Sequence, residues 1–316
     1  MNDVTVLARS LGLELAEWVP LGERTTYRVG GRARYGLVLA DEDALARVTA
    51  LIERVELAVV VLGAGSNMLV ADAGFDGLLV ELGASFAGLE VREGGAVEAG
   101  GAALLPVSAR RLAASGLGGF AWAVGIPGTV GGAVRMNAGG HGGDTASVLR
   151  RARVAGLADG RIAWREAASL ELGYRRSALG MHDVVLAAEF QLVLSDREHE
   201  ETLIKEVVRW RREHQPGGQN AGSVFVNPPD VPAAKLIEEA GLKGRRLGSA
   251  QVSPKHANFI QADPGGRAED VRALMELVRA EVARQFGVEL RTEVRLVGFG
   301  PSTSCADVAH AAAGGA

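Results

Sequence analysis

Hydrophobic positions along this 316-residue chain change period several times, and each change marks an element. Leu45, Val48, Leu51 and Ile52 recur at the spacing of one helix face, which predicts an amphipathic helix over 42–54 capped by Asp41. That helix should pack on the apolar run at 58–62, a buried strand. A second helix is expected from Pro106 to a stop at Gly116, burying Val107, Leu112 and Ala113. Between 150 and 194 the pattern becomes that of strands. Residues 152–157 and 161–164 flank Asp159-Gly160, a hairpin signal, and 184–194 supplies another strand. A polar amphipathic helix over 198–213 turns Leu203, Ile204, Val207 and Val208 inward and is ended by Pro216-Gly217-Gly218. A domain boundary is therefore expected near 195–215. Beyond it, a strand at 223–226, a helix opened by Pro232 and closed by Gly241, a helix over 268–286 closed by Gly287 and a strand over 289–297 form a second α+β unit. On that last strand Leu290, Thr292, Val294 and Leu296 face one way, and Arg291, Glu293 and Arg295 the other. The tail 301–316 holds almost nothing to bury and is expected to be disordered.

Two glycine-rich stretches break the periodic pattern, Gly63-Ala64-Gly65-Ser66-Asn67-Met68 and the run from Gly125-Ile126-Pro127-Gly128-Thr129 through Gly131-Gly132 to Asn137-Ala138-Gly139. Glycine reaches positive φ cheaply and lets backbone N–H groups approach an anion, so each stretch has the composition of a phosphate cradle. The alternative for either one alone is a tight turn between buried strands. The first is not a dinucleotide fingerprint, because Met68 stands where a third glycine is needed and an apolar run, not a helix, follows. Strand, loop, strand is the expected order there.

Composition narrows the partners. The 34 basic and 38 acidic residues nearly balance, giving a formal charge of −4 and no electrostatic case for nucleic acid or an anionic membrane surface. The 43 glycines specify backbone shape at many positions and suit a loop-rich site for a small, phosphorylated ligand. The first ten residues carry an acid and no apolar signal core, and no run approaches the roughly 18 apolar residues of a membrane span, so the chain reads as soluble and cytoplasmic. A single cysteine, Cys305, and six scattered histidines offer neither a disulfide nor a metal-ligand pattern.

Three further segments each present one reactive group: Arg175 in Gly173-Tyr174-Arg175-Arg176-Ser177, Ser223 in 220–228, and Glu293 on the last strand. Together with Thr26-Tyr27-Arg28-Val29-Gly30-Gly31, both glycine stretches, 236–244, and 252–260, these make the chain resemble the bacterial UDP-N-acetylenolpyruvoylglucosamine reductases, or UDP-N-acetylmuramate dehydrogenases, of peptidoglycan precursor synthesis. The resemblance runs from Leu21 to Val297. It implies an α+β fold: a two-lobed FAD-binding module of the vanillyl-alcohol-oxidase type, with lobes over 1–75 and 76–200, and a substrate domain over 201–300. It also implies FAD reduced by NADPH, and hydride delivery to the enolpyruvyl double bond of UDP-N-acetylglucosamine enolpyruvate.

Residue by residue, the resemblance assigns the cofactor to Tyr27, Gly63, Ala64, Gly65, Ser66, Asn67, Met68, Gly125, Ile126, Pro127, Gly128, Thr129, Gly131, Gly132, Asn137, Ala138 and Gly139. Arg175 would stabilise the substrate carboxylate, Ser223 would protonate carbon, and Glu293 would complete the site. Tyr174, Asn227, Lys255, His256 and Asn258 would contact the substrate. Two departures stand out. Ala64 replaces a glycine, which only requires negative φ there. Val226 replaces the family's lysine, leaving Lys255, His256, Arg245 and Arg246 as candidate cations for the substrate diphosphate. No tyrosine-bearing insertion follows Gly180, so the compact branch of the family is the nearer match. The rival readings are another flavin oxidoreductase on the same module, such as a sugar or hydroxy-acid oxidase, and a non-catalytic nucleotide-sugar binding protein.

Overall fold

The computed structural model describes residues 3–300, so the tail 301–316 and Cys305 lie outside the described residues. Seven α-helices occur among them: α1 Asp3–Ser10, α2 Leu45–Val55, α3 Leu105–Ala114, α4 Val130–Met136, α5 Arg197–His214, α6 Ala233–Glu239 and α7 Ala268–Phe286. With the sheets below they give the expected α+β class. The described chain forms two compact units. The first comprises 3–19, Ala33–Ala64 and Asp76–Glu213; the second comprises Pro20–Arg32, Gly65–Phe75 and 214–300.

The first unit holds two larger sheets and two short two-stranded ones. One orders the strands Ala16–Val19, Ala33–Leu39, Phe75–Leu82 and Val59–Leu62, with the last two parallel. Leu45, Val48, Leu51 and Ile52 of α2 share its core with Val59, Leu78 and Val80, as the helical spacing requires. The Asp41 carboxylate accepts the amide of Ala44 at 2.9 Å and so closes a turn, which moves the helix start to Leu45. The second sheet runs Ile162–Glu166, Leu149–Gly156, Asp183–Gln191, Ala96–Gly100, Leu89–Val91, all antiparallel. The hairpin at Asp159-Gly160 is present, with Gly160 at φ +66° and Ala155 opposite Ile162. The strand expected over 184–194 breaks at Leu192, whose amide turns aside to Gly95, and resumes only as Val193–Leu194.

α5 forms where the pattern puts it, but its inner face is thinner than expected. Ile204 and Glu200 are buried, Leu203 and Val207 are half-buried, and Val208 is exposed. Glu200 takes the interior place because the Ser195 hydroxyl donates to its carboxylate at 2.8 Å.

In the second unit α6 and α7 accompany the strands Arg246–Leu247, Ala250–Val252 and Ile260–Ala262. Gly241 and Gly287 sit at φ +73° and +68° where the helices stop, while Pro232 lies one residue before α6 rather than inside it. The early segments join this unit through backbone bonds: Gly31 donates to Ala71 at 2.8 Å, and Ala71 to Val297 at 2.8 Å. Met68–Val70 pairs in parallel with Arg295–Val297.

Two expected strands shrink. Residues 223–226 form an isolated bridge, Phe225 opposite Thr292, and only Arg295–Val297 of 289–297 enters a ladder. The alternation survives as burial, with Leu290 and Val294 inside and Arg291 and Arg295 outside.

Candidate active site

The strand Val59–Leu62 delivers the chain to Gly63, and the strand Met68–Val70 takes it away with no intervening helix, as expected. Gly65 holds φ +61°, and a Cβ there would lie 2.6 Å from the carbonyl of Arg24 and 2.7 Å from the α-carbon of Thr25, so only glycine fits. The amide of Thr26 donates to Gly65 at 3.1 Å. Among the described residues, the amides of Ala64, Gly65, Ser66 and Asn67 donate no backbone hydrogen bond outside helices and strands. Four such amides on one tight loop suit an anion.

Asn67 is tied at both ends. Its carbonyl accepts the amide of Arg295 at 3.0 Å, and its Nδ2 donates to the carbonyl of Glu293 at 3.1 Å. Met68 is buried opposite Arg295 in the parallel ladder, so it supports the loop from beneath. Tyr27 is fully buried in the core of the second unit. Its hydroxyl has no hydrogen-bond partner among the described residues, and burial raises its pKa, so it stays a neutral donor at every working pH.

In the first unit the second glycine stretch begins as a 3-10 turn, Ala121–Gly125, and then opens α4. Thr129 caps that helix, its Oγ1 accepting the amide of Gly132 at 3.3 Å. Gly131 packs close, an added Cβ being 3.0 Å from the carbonyl of Gly101 and 3.2 Å from that of Val185. A Cβ on Gly63 would sit 2.5 Å from Thr129 Oγ1, so the two glycine stretches meet there. At that point the first stretch is bare backbone and the second presents the Thr129 hydroxyl.

Asn137 ends α4 at φ +41°. Its Nδ2 donates to the carbonyl of Gly173 at 3.0 Å, and its Oδ1 accepts the amide of Ala146 at 2.9 Å. Asn137 thereby fixes the turn that carries Arg175. Within that turn Gly173 and Arg176 exchange backbone bonds at 3.0 and 3.1 Å, and Arg175 itself is held at φ +58°. Its guanidinium donates to the carbonyl of Gly139 at 2.9 Å and lies 5.1 Å from the ring centre of the exposed Tyr174. The arginine and the end of the glycine stretch are thus one local assembly.

The second unit brings Ser223 and Glu293 together. Glu293 donates its amide to the carbonyl of Val224 at 2.8 Å, which sets its backbone beside Ser223, and Val226 donates to Arg291 at 2.9 Å. Ser223 is half-buried, and its hydroxyl makes no hydrogen bond among the described residues. A half-buried hydroxyl without a hydrogen bond is available to a ligand.

Of the expected substrate contacts, Lys255 is exposed. Three of the others have partners within the second unit. Asn258 is buried and clamps Phe225, accepting its amide at 3.0 Å and donating to its carbonyl at 2.8 Å, so it holds the Ser223 loop in shape. Asn227 Oδ1 accepts the amide of Ala233 at 3.0 Å and starts α6. His256 packs edge-on to Phe259 at 4.8 Å and accepts the amide of Asn258 at 3.3 Å. Burial lowers its pKa, so it contributes no charge near neutrality. Arg246 is engaged with Asp263.

One positioning residue was not read from the sequence. Asp72 caps α7 from almost two hundred residues away, accepting the amide of Ala268 at 2.9 Å, while Glu269 returns a carboxylate oxygen to the amide of Asp72 at 3.1 Å. The available signal was Arg267, a poor cap residue at the start of a well-defined helix.

Comparison with known proteins follows this geometry. Residues 34–165 match a family described as an FAD binding domain, and 214–297 match the C-terminal domain of UDP-N-acetylenolpyruvoylglucosamine reductase. UDP-N-acetylenolpyruvoylglucosamine reductase 2 of Symbiobacterium thermophilum is 43% identical over 284 residues, spanning 89% of this chain and 92% of its own. The chain belongs to the UDP-N-acetylenolpyruvoylglucosamine reductase family. Reductase 1 of Bacillus anthracis is 39% identical over 282 residues, 88% of this chain and 93% of its own. The crystal structure of the enzyme from Thermus caldophilus superposes with a TM-score of 0.79 at 34% identity, covering 90% of this chain and 98% of that one.

Proposed function

We propose that this protein reduces the enolpyruvyl group of UDP-N-acetylglucosamine enolpyruvate to the lactyl ether of UDP-N-acetylmuramate, with FAD as carrier and NADPH as reductant. The observation that carries the proposal is the adjacency of Ser223 and Glu293 in the domain matched to the reductases, built by the Glu293–Val224 backbone bond. The meeting of the glycine stretches at Gly63 and Thr129, together with the uncommitted amides of residues 64–67, fits the diphosphate of FAD. FAD, when bound, supplies the two-electron chemistry that links nicotinamide to substrate.

The side chains of this chain do the rest. Arg175, preset at positive φ by the Gly173–Arg176 turn and anchored to Gly139, offers its fork of donors to the substrate carboxylate, where charge builds as the double bond is reduced. Ser223 gives its hydroxyl proton to the adjacent carbon. Glu293, whose backbone is fixed by bonds to Val224 and Asn67, is assigned to replenish that proton. Asn258 and Asn137 hold the two loops that present these groups. Lys255 and Arg245, both exposed, are the cations assigned to the substrate diphosphate where Val226 offers none. Because its substrates are a sugar nucleotide and a reduced nicotinamide, we place the reaction in the cytoplasm; no described helix is long and apolar enough to cross a membrane.

The test is anaerobic. The yellow protein is reduced with NADPH, UDP-N-acetylglucosamine enolpyruvate is added, and the oxidised flavin band should return in one turnover. No return with that compound, together with reoxidation by a sugar or hydroxy-acid partner, would instead favour an oxidase.

A further inference from the structure

A second polar cluster lies in the first unit, where α5 meets the start of the second glycine stretch. An added Cβ on Gly125 would lie 3.1 Å from Arg211 Cδ, 3.1 Å from Val207 Cγ1 and 3.4 Å from His141 Cδ2, so these three side chains converge on bare backbone. His141 stands on the turn just after Gly139, held at φ +52°, with its ring 4.9 Å from that of Trp210 and nearly perpendicular to it. Trp210 is 42% exposed. Arg211 and Trp210 belong to the stretch between the two matched family segments, 34–165 and 214–297, so neither family description covers them.

The charge balance of this cluster is unusual. Arg211 has no ion pair and no hydrogen bond among the described residues, although it is half-buried. Burial lowers its pKa, and the pKa of His141 is lowered by burial and then by the Arg211 charge. Arg211 lies in the last turn of α5, where the helix dipole favours a cation, but it has no acceptor for its five N–H donors among the described residues. One cationic guanidinium and a neutral imidazole set together against a glycine, beside an exposed indole, make a receptor for an anion attached to an aromatic base.

We propose that Arg211 and His141, with Trp210, bind the 2′-phosphoadenosine end of the reductant and so select NADPH over NADH. The assignment rests on the reductase reading. Of the phosphorylated ligands that reading supplies, NADPH alone carries a monoester dianion in addition to a diphosphate. The fork of Arg211 matches a dianion, and the indole offers the adenine an apolar surface. The diphosphate of FAD already has the uncommitted amides of residues 64–67.

Calorimetric titration of the oxidised holoenzyme with adenosine 2′,5′-bisphosphate and with 5′-AMP tests this without turnover. The bisphosphate should bind about tenfold more tightly than AMP, and Arg211→Met should remove most of that preference. Arg211→Lys, which keeps charge and stem but loses the fork, should retain part of it and covers the case in which the methionine variant does not fold. FAD binding by the apoprotein should be unchanged in both variants. Equal binding of the two nucleotides by the unaltered enzyme, or full preference in Arg211→Lys, overturns the assignment. A loss of FAD affinity also overturns it, since that would give the cluster to the cofactor diphosphate. If flavin reoxidation by the enolpyruvyl sugar nucleotide proceeds while the nucleotides bind equally, this inference fails and the proposed function stands.

Discussion

The two glycine stretches do similar work by different means. The second is organised locally: Thr129 caps α4, Asn137 closes it, and Gly131 packs on neighbouring backbone. The first has no helix of its own. Its shape comes from segments far away in sequence, Arg24 and Thr25 against Gly65, and Glu293 and Arg295 on Asn67. The division between compact units falls inside it, between Ala64 and Gly65. A locally built loop tolerates change elsewhere in the chain, whereas a loop held by distant partners ties its own shape to whatever those partners do. Here one partner is Glu293.

The comparison breaks most easily at Gly65. Alanine there must adopt φ +61°, at roughly 1–2 kcal/mol, and drive its Cβ into the backbone of residues 24 and 25, which cannot move aside. Gly65→Ala should purify without flavin, and yellow protein with normal FAD affinity would show that the first stretch is not the cradle. Ser223→Ala comes next. It should slow reoxidation by the enolpyruvyl substrate about 10²-fold or more while leaving flavin reduction by NADPH intact in stopped-flow traces. Equal loss in both half-reactions would remove Ser223 from the proton step. The second stretch should respond more mildly: Thr129→Ala loses a cap worth about 1 kcal/mol, lowering thermal stability and FAD affinity together without separating the half-reactions.

The same contrast explains what the sequence made legible. Helices with caps and stops nearby were readable: α3 with its proline, and α7 from Ala268 to Phe286 ended by Gly287. The Asp159-Gly160 hairpin was readable for the same reason. Residues 223–226 and 289–294 looked like strands from their apolar pattern, yet their pairing is reduced to one bridge, Phe225 opposite Thr292. Asn137, Asn227 and Asn258 were read as ligand contacts; the structure shows their amides occupied by backbone, which no local pattern reveals. The capping of α7 by Asp72 was equally invisible, because it joins residues remote in the chain. Long-range hydrogen bonds, rather than the elements themselves, are what sequence reading lacked.

Asn67 joins the first glycine stretch to the backbone of Glu293, the residue proposed to serve Ser223, and Asn67→Ala measured in both half-reactions tests that link most directly. Loss of the Nδ2 bond to Glu293 should slow substrate-driven reoxidation about fivefold, the value of one hydrogen bond near 1 kcal/mol, with NADPH-driven reduction unchanged. Reduction slowed as much as reoxidation, or neither slowed at all, would contradict it.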